Sequence, residues 1–312
     1  MHSLRVLQSV PTPHLPSSRL RAIHSRSTFS FVQKFITIKL EDINRIIVTA
    51  LLRKVRNGSI KVAVSGKGGV GKTTIAGTLA RLFARDGHRV IAVDADPAMN
   101  LKFALGIAET PPPISELKDL ILERTGASTG TGIYKLNPRV DDIIARFGVR
   151  GPDGVTLVVM GTVEKGGTGC TCPENAFLRS LLQHVLFKEH TVIMDMEAGI
   201  EHLGRGTARG VDIMLTVVEP GMRSVETVGR IKKLGADIGI ERIVAVLNKV
   251  TDEAVVERIE PKLREMNIPL LDIIPYEPAL ITADIEGKAP LDVGGEAVER
   301  INAIKAKLLS FF

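Results

Sequence analysis

Short runs of β-branched and other apolar residues alternate with amphipathic stretches from Ser59 to the end of the chain. The runs are SIKVAVSG, RVIAVDAD, VTLVVMG, TVIMDME, IMLTVVE, RIVAVLN and PLLDIIP. Strands that are apolar at nearly every position are buried on both faces, as in a parallel sheet covered by helices on each side. The pattern therefore predicts one α/β domain over residues 60–312, with a mostly parallel sheet of about seven strands.

The amphipathic stretches predict the helices that cover this sheet. They lie at residues 72–85, 115–124, 173–187, 224–234 and 252–266. Residues 126–154 interrupt the alternation with glycines, prolines and charges, so we expect a surface insertion there. Near the C-terminus an apolar stripe favours a last helix packed on the domain over a membrane-binding helix. The stripe consists of Ile301, Ile304, Leu308 and Phe311.

Charge divides the first 60 residues from the rest of the chain, which has 41 Lys+Arg and 35 Asp+Glu in total. Residues 1–60 contain 10 of the basic and 2 of the acidic residues, so 31 basic and 33 acidic residues remain in 61–312, a balance of −2. A near-neutral body does not favour nucleic acid as a partner. No later segment has the roughly 18 uninterrupted apolar residues of a membrane span, so we expect no stable membrane insertion.

Residues 1–59 form a basic extension with two possible origins. It has no acidic residue before Glu41 and is rich in Ser, Arg and Pro near its start. This composition resembles an organellar transit peptide, and it would equally arise from a start codon placed too far upstream. For the main body we expect a cytoplasmic protein, because its two cysteines, Cys170 and Cys172, are too few and too close together for a disulfide framework.

A glycine-rich loop follows the first apolar run. Its sequence GKGGVGKTT, residues 66–74, is a full match to G-x-x-x-x-G-K-[ST], and a predicted strand and helix flank it in the required order. Backbone N–H groups of such a loop point at phosphate oxygens, Lys72 reaches the β- and γ-phosphates, and the Thr73 hydroxyl completes a Mg²⁺ shell. The loop therefore predicts a nucleoside triphosphate with Mg²⁺ as cofactors, and the class resemblance described next implies that the nucleotide is ATP. The predicted nucleotide-binding residues of the loop are Gly68, Gly69, Val70, Gly71, Lys72, Thr73 and Thr74.

The loop contains a second lysine, Lys67, and in this form it resembles the deviant Walker A motif of the MinD/ParA/nitrogenase-iron-protein class. The resemblance implies a P-loop NTPase domain in which Lys67 crosses to the nucleotide of a partner subunit. A cation is needed where charge builds on the transferring phosphoryl group, and a closed dimer delivers it. We therefore expect an ATP-dependent homodimer, with Lys67 and Lys72 as catalytic lysines.

Two carboxylates match further nucleotide motifs of the class. VDADP places Asp96 where the class has its switch I aspartate, which implies a catalytic role in orienting the attacking water. Asp94 beside it is either a helper or a turn residue. IMDMEAG supplies the switch II pattern D-x-x-x-G, with Asp195 holding Mg²⁺ through water and Gly199 free to follow the γ-phosphate.

Three residues resemble the base-binding positions of the class. Asn248, in VLNKV, matches the asparagine that reads adenine, and Pro275 and Tyr276 of IIPYEP match the segment whose backbone completes the base pocket. These candidates lie at the ends of predicted strands, and open α/β sheets bind ligands at the carboxyl ends of their strands. The sequence therefore predicts one ATP site at that edge of the sheet.

Two segments narrow the resemblance. MGTVEKGGTGCTCPENAFLRSLLQHV and VIMDMEAGIEHLGRGTARGVD resemble the CooC-type nickel-insertion ATPases, and the likeness extends over residues 60–312. It implies an ATPase coupled to metal-centre assembly, with a carbon monoxide dehydrogenase or acetyl-CoA synthase apoprotein as its partner. The chain departs from many relatives in one place, because AMN follows Pro97 where they have a further acidic residue.

The pair Cys170 and Cys172 has two explanations on the residues alone, either inert thiols or half of a metal site. Thiolates hold Ni²⁺ or Zn²⁺ well, and four ligands make the common closed site. A two-fold axis beside the loop would supply the second pair, because an isologous interface repeats every contact. With the CooC-type resemblance, we expect Ni²⁺ or Zn²⁺ to be shared between two protomers at these cysteines.

Two other functions remain as alternatives. A MinD/ParA-type positioning ATPase would work without a metal, and the near-neutral body and the C-x-C pair disfavour it. A redox ATPase like the nitrogenase iron protein would hold an iron–sulfur cluster between its subunits. In that family the ligand cysteines lie on separate loops, whereas here both lie in one segment.

Overall fold

The strands of this chain form a sheet that is buried on both faces. The computed structural model describes residues 59–127, 133–161, 173–197 and 210–312. Within these ranges the strands are β1 Lys61–Gly66, β2 Val90–Ala95, β3 Val149–Arg150, β4 Thr156–Val159, β5 Thr191–Met196, β6 Ile213–Val218, β7 Ile243–Val250 and β8 Leu270–Pro275. Their order in the sheet is β3-β4-β2-β5-β1-β6-β7-β8. Neighbouring strands are parallel, except that β3 is antiparallel to β4.

The α/β class is confirmed, and the strand count differs from the expected seven by one short strand. Each apolar run of the sequence forms a parallel strand. The additional strand, β3, has two residues and pairs at the sheet edge, Val149 with Leu157 and Arg150 with Thr156. Two residues are too few to show a periodic pattern in the sequence.

Helices connect the parallel strands. They are α1 Lys72–Arg85, α2 Leu101–Leu105, α3 Lys118–Thr125, α4 Ile143–Phe147, α5 Pro173–Phe187, α6 Met222–Ile238, α7 Glu253–Glu265, α8 Pro278–Ile285, α9 Pro290–Val293 and α10 Glu296–Leu309, with 3₁₀ turns at Ile114–Glu116 and Pro152–Gly154. α1 and α5 have the predicted bounds. The helix predicted at residues 115–124 is instead a 3₁₀ turn followed by α3, because Leu117 between them has non-helical angles of φ −75° and ψ 55°.

Alternate residues of the central strands point to opposite faces of the sheet. Val62 and Val64 of β1 belong to one hydrophobic cluster, which includes Phe83 of α1. Ala63 belongs to a second cluster, which includes Phe177 of α5. The sheet therefore lies between two helical layers, and the carboxyl ends of its strands form an edge between them where a ligand can bind.

The segment at residues 126–154 is not wholly at the surface, contrary to expectation. Val140 is 6% exposed and Ile143 of α4 is fully buried, and both belong to the cluster that contains Phe177. Charged residues lie next to these two apolar positions, so the sequence pattern did not indicate that they are buried. The segment therefore contributes to the core beside the edge of the sheet.

The last helix, α10, packs on the domain as expected. Ile301, Ile304 and Leu308 are buried in the cluster that contains Phe83, and Phe311 is partly buried against it. Among the helices of the described ranges, none has both the length and the apolar character to cross a membrane.

Candidate nucleotide site

The phosphate loop joins β1 to α1 at the carboxyl edge of the sheet, between Gly66 and Lys72. Gly71, the N-cap of α1, has φ 95°, and a Cβ at this position would lie 2.4 Å from Asn248 Nδ2. The left-handed backbone and the close approach both require glycine here. The N–H groups and the dipole of the first turn of α1 then face the loop, as in other phosphate sites.

Lys72 and Thr73 are the first two residues of α1 and lie at the carboxyl edge of the sheet. The Lys72 side chain is 6% exposed, and its Nζ lies 3.4 Å from the Lys67 carbonyl oxygen and 3.7 Å from Asp96 Oδ2. The Thr73 hydroxyl donates to Asp195 Oδ2 at 2.6 Å. The structure therefore brings the phosphate-loop lysine and threonine together with the two predicted switch carboxylates.

Asp195, on β5, has the features of a cation ligand. Its side chain is fully buried, and burial raises its pKa to about 7. Oδ2 accepts the Thr73 hydroxyl, whereas the buried Oδ1 has no hydrogen-bond partner within the described part of the chain. Mg²⁺ prefers oxygen ligands and the waters held by them. Thr73 and Asp195 thus fit the predicted magnesium site.

Asp94 and Asp96, at the end of β2, differ in their surroundings. Asp94 is fully buried, and its carboxylate accepts the N–H groups of Asp96 at 3.2 Å and Leu101 at 2.9 Å. Burial raises the pKa of Asp94 to about 6. Asp94 is thus a turn residue that shapes the segment leading to α2. The Asp96 side chain stays 19% exposed and lies beside Lys72, which leaves it accessible to a substrate.

Lys67 is paired within its own chain. Its Nζ lies 3.3 Å from Glu219 Oε1, and its side chain is 41% exposed. Glu219 directly follows β6, and its backbone N–H donates to Ser224 Oγ at 3.1 Å. The signature lysine is therefore held at a position that solvent can reach.

Two neighbouring side chains of β7 contact the phosphate loop. Asn248 Nδ2 donates to the Val70 carbonyl oxygen at 2.8 Å, and Lys249 Nζ donates to the Gly69 carbonyl oxygen at 2.6 Å. Asn248 is 8% exposed. The residue expected to read adenine therefore also holds the loop through its amide group.

Pro275 and Tyr276 lie at the carboxyl end of β8, beside β7. Pro275 pairs with Val250, and the Tyr276 backbone N–H donates to the Val250 carbonyl oxygen at 2.9 Å. The Tyr276 side chain is 44% exposed. The predicted base-pocket segment thus shares the sheet edge with Asn248.

Cys170, Cys172 and Gly199 lie outside the described residues. α5 begins at Pro173, directly after Cys172 in the chain. Among the described residues, no group of three or more His, Cys, Asp or Glu side chains is placed to hold a metal ion. The metal site at the two cysteines stays a prediction.

The sequence pattern did not single out Glu219 or Lys249. Each lies at the carboxyl end of a strand, as the predicted site residues do, and this position is the signal that could have pointed to them. Neither belongs to a motif by which the loop or the switches were recognised. Their contacts with the loop depend on the order of the strands in the sheet.

Comparison with known proteins places these features in a family. A family model described as the CobQ/CobB/MinD/ParA nucleotide binding domain matches residues 61–291. The carbon monoxide dehydrogenase accessory protein CooC of Rhodospirillum rubrum is 45% identical over 256 residues, which cover 80% of this chain and 96% of that protein. An uncharacterized ATP-binding protein of Methanocaldococcus jannaschii is 45% identical over 78% of this chain and 96% of that protein.

Solved structures share the fold at lower identity. The MinD cell division protein of Aquifex aeolicus superimposes with a TM-score of 0.59 at 21% identity, over 80% of this chain and 97% of that chain. A ParA family ATPase from Chlorobium tepidum gives a TM-score of 0.59 at 19% identity, over 80% of this chain and 99% of that chain. At such identities the likeness concerns the fold and not the function.

The chain belongs to the CobQ/CobB/MinD/ParA family of nucleotide-binding proteins, as the family model and the extended identity show. Within that family it is a CooC-type ATPase with a deviant Walker A loop. The fold, the family and the ATPase activity expected from the sequence are confirmed.

Proposed function

We propose that this chain hydrolyses ATP as a Mg²⁺-dependent homodimer and thereby inserts nickel into a carbon monoxide dehydrogenase or acetyl-CoA synthase apoprotein. The observation that carries the proposal is the 45% identity to CooC, a carbon monoxide dehydrogenase accessory protein, over 96% of that protein. The nucleotide site supports the ATPase part of the proposal. The two cysteines in one short segment support the metal part.

At the phosphate site, different residues of this chain would have different roles in phosphoryl transfer. The N–H groups of the loop and the Lys72 ammonium would bind the phosphates and balance their charge. Thr73 and Asp195 would hold Mg²⁺, which supplies further stabilisation of the developing charge. Asp96, whose carboxylate lies 3.7 Å from the Lys72 ammonium, would accept a hydrogen bond from the attacking water.

Lys67 would act on the nucleotide of the partner. Its ion pair with Glu219 is partly exposed, with side-chain exposures of 41% and 30%, and pairs of this kind contribute about 0–1 kcal/mol. So weak a contact can be exchanged for phosphate oxygens when two protomers close. Hydrolysis would then depend on dimer formation, because the cation arrives with the partner.

Cys170 and Cys172 would bind Ni²⁺ or Zn²⁺ together with the same residues of the second protomer. Four thiolates complete a closed site, and the two-fold axis supplies two of them from each chain. ATP-driven closure would bring the four ligands together. Hydrolysis would relax the switches, separate the pairs and release the metal to the apoprotein.

The double variant Cys170→Ser, Cys172→Ser tests this proposal. For the wild-type full chain, handled anaerobically, we expect one Ni²⁺ per two chains, measured by equilibrium dialysis with metal analysis. The double variant should bind Ni²⁺ at least about a hundredfold more weakly, because a serine hydroxyl is a poor ligand for a borderline cation. It should also fail to activate a nickel-free carbon monoxide dehydrogenase with MgATP.

Nucleotide binding is the control for this experiment, since the substitutions lie outside the phosphate loop and should leave the affinity for MgADP unchanged. The metal site is wrong if the double variant binds nickel as tightly as the wild type. ATP-dependent recruitment to liposomes or DNA without any metal effect would favour a positioning ATPase instead. Visible-range absorption of the anaerobic protein would favour an iron–sulfur ATPase.

A further inference from the structure

Two adjacent residues of β7 hold two adjacent carbonyl groups of the phosphate loop. Lys249 Nζ donates to the Gly69 carbonyl oxygen at 2.6 Å, and Asn248 Nδ2 donates to the Val70 carbonyl oxygen at 2.8 Å. Each carbonyl belongs to a peptide unit whose N–H is on the next residue. Because the peptide unit is planar and trans, its N–H points away from its carbonyl oxygen. Binding the two carbonyls therefore fixes the direction of the N–H groups of Val70 and Gly71.

The backbone of β7 is distorted where Lys249 leaves the strand. Lys249 has φ 60°, a left-handed conformation that is uncommon for a long side chain. The pairing between β7 and β8 shifts register between Leu247 and Val250, across this residue. Bulges re-aim side chains next to active sites, and unfavourable backbone angles persist there because the surrounding structure holds them. The register shift and the positive φ together direct Lys249 to the loop and not to the sheet.

The electrostatics of this contact favour phosphate binding. An ammonium group on a carbonyl oxygen strengthens the donor at the other end of the same peptide, because charged hydrogen bonds polarise the groups they bind. The Gly69–Val70 peptide lies in a loop whose N–H groups bind phosphate in proteins of this motif. The Lys249 side chain is exposed and long enough to extend into solvent. Its ammonium group is nevertheless bound to the Gly69 carbonyl oxygen of the loop.

We propose that Lys249 is a positioning residue of the ATPase, which orients and polarises the Gly69–Val70 peptide so that its N–H binds the phosphates of ATP or ADP. Lys249 does so through the backbone, because its ammonium group is bound to the Gly69 carbonyl oxygen. The inference deepens the ATPase part of the proposed function and needs only nucleotide binding at the loop. Nickel delivery can therefore be wrong while this inference holds, and the reverse is also true.

Lys249→Asn is the sharpest test, because asparagine adopts the left-handed conformation more readily than lysine. The asparagine side chain is uncharged and too short to reach the loop. We expect the affinity of this variant for MgADP, measured by isothermal titration of the full chain, to fall about tenfold. The melting temperature of the nucleotide-free protein should stay the same or rise. Lys249→Arg keeps the cation and should recover most of the affinity, whereas Lys233→Asn, at an exposed position on α6, should bind as the wild type.

If Lys249→Asn lowers the affinity for MgADP without lowering the melting temperature, Lys249 has a positioning role and not a merely structural one. Lys249→Asn that binds MgADP as tightly as the wild type would overturn the inference. So would a loss of affinity that comes with an equal loss of thermal stability and is not restored by Lys249→Arg. The cysteine variants are not involved in either measurement, so the outcome is independent of the metal site.

Discussion

Two carboxylates of the nucleotide site are buried, and burying their charge is unfavourable for the free energy of folding. Asp94 and Asp195 are fully buried, and burial raises their pKa values to about 6 and about 7. Asp94 is compensated by two backbone N–H groups. Asp195 has one oxygen without a partner among the described residues, so its ionised form is costly until a cation binds.

Asp195→Asn should stabilise the nucleotide-free protein. Because the folded-state pKa of Asp195 is about 7 and that of an unfolded aspartate is about 4, this group favours folding only while it is protonated. Its contribution is lost as the pH rises from about 4 to about 7. At pH 8 the melting temperature of Asp195→Asn should therefore exceed that of the wild type by roughly 3 °C or more, and the difference should shrink at pH 5.

Thermal unfolding of the full chain at both pH values measures this effect, with Asp284→Asn at an exposed position on α8 as the control. Hydrolysis of MgATP by Asp195→Asn should fall by about a hundredfold or more. Wild-type hydrolysis would refute the magnesium role of Asp195. A lower melting temperature at pH 8 would refute the cost of its burial.

Among the secondary-structure elements, α1 is held by contacts along its middle turns. Gly77 permits close contact with α2, since a Cβ there would lie 2.6 Å from Ala104 Cβ. One turn further on, Arg81 is buried and donates to Asp153 at 2.7 Å, in the second 3₁₀ turn, and to Asp292 at 2.8 Å, in α9. These contacts give the first turn of α1, and therefore the phosphate loop, a defined position before nucleotide binds.

Gly71→Ala tests the junction of the loop, α1 and β7. The substitution places a Cβ on a residue with φ 95° and 2.4 Å from Asn248 Nδ2. We expect a loss of about 1–2 kcal/mol in the free energy of unfolding, measured by chemical denaturation, together with weaker MgADP binding. Gly68→Ala is the matched control for stability, because no atom lies within 4 Å of a Cβ there. Equal stabilities of the two variants would contradict the close packing at Gly71.

For the molecule as a whole, the sequence predicts what is local and misses what depends on strand order. Short, nearly continuous apolar runs predicted the seven parallel strands, and the glycine-rich motif predicted the loop with Lys72 and Thr73. The two-residue strand β3 and the buried Val140 were too short or too isolated to be visible. The bonds that hold the loop from outside join residues far apart in sequence, as in the pair of Lys249 and Gly69, separated by 180 positions. Local periodicity does not specify such pairs, because they follow from β7 and β1 lying on either side of β6.

Mixing two inactive variants tests most directly whether Lys67 acts on the partner's nucleotide. Lys67→Ala lacks the lysine but keeps Asp96, whereas Asp96→Asn lacks the carboxylate but keeps Lys67. In a mixed dimer, the site of the Lys67→Ala chain has its own Asp96 and receives Lys67 from the partner. Each variant alone should be nearly inactive, and the equimolar mixture should recover about a quarter of the wild-type kcat, because about half of the dimers are mixed and each has one complete site. A mixture no more active than the two variants measured separately would contradict action in trans.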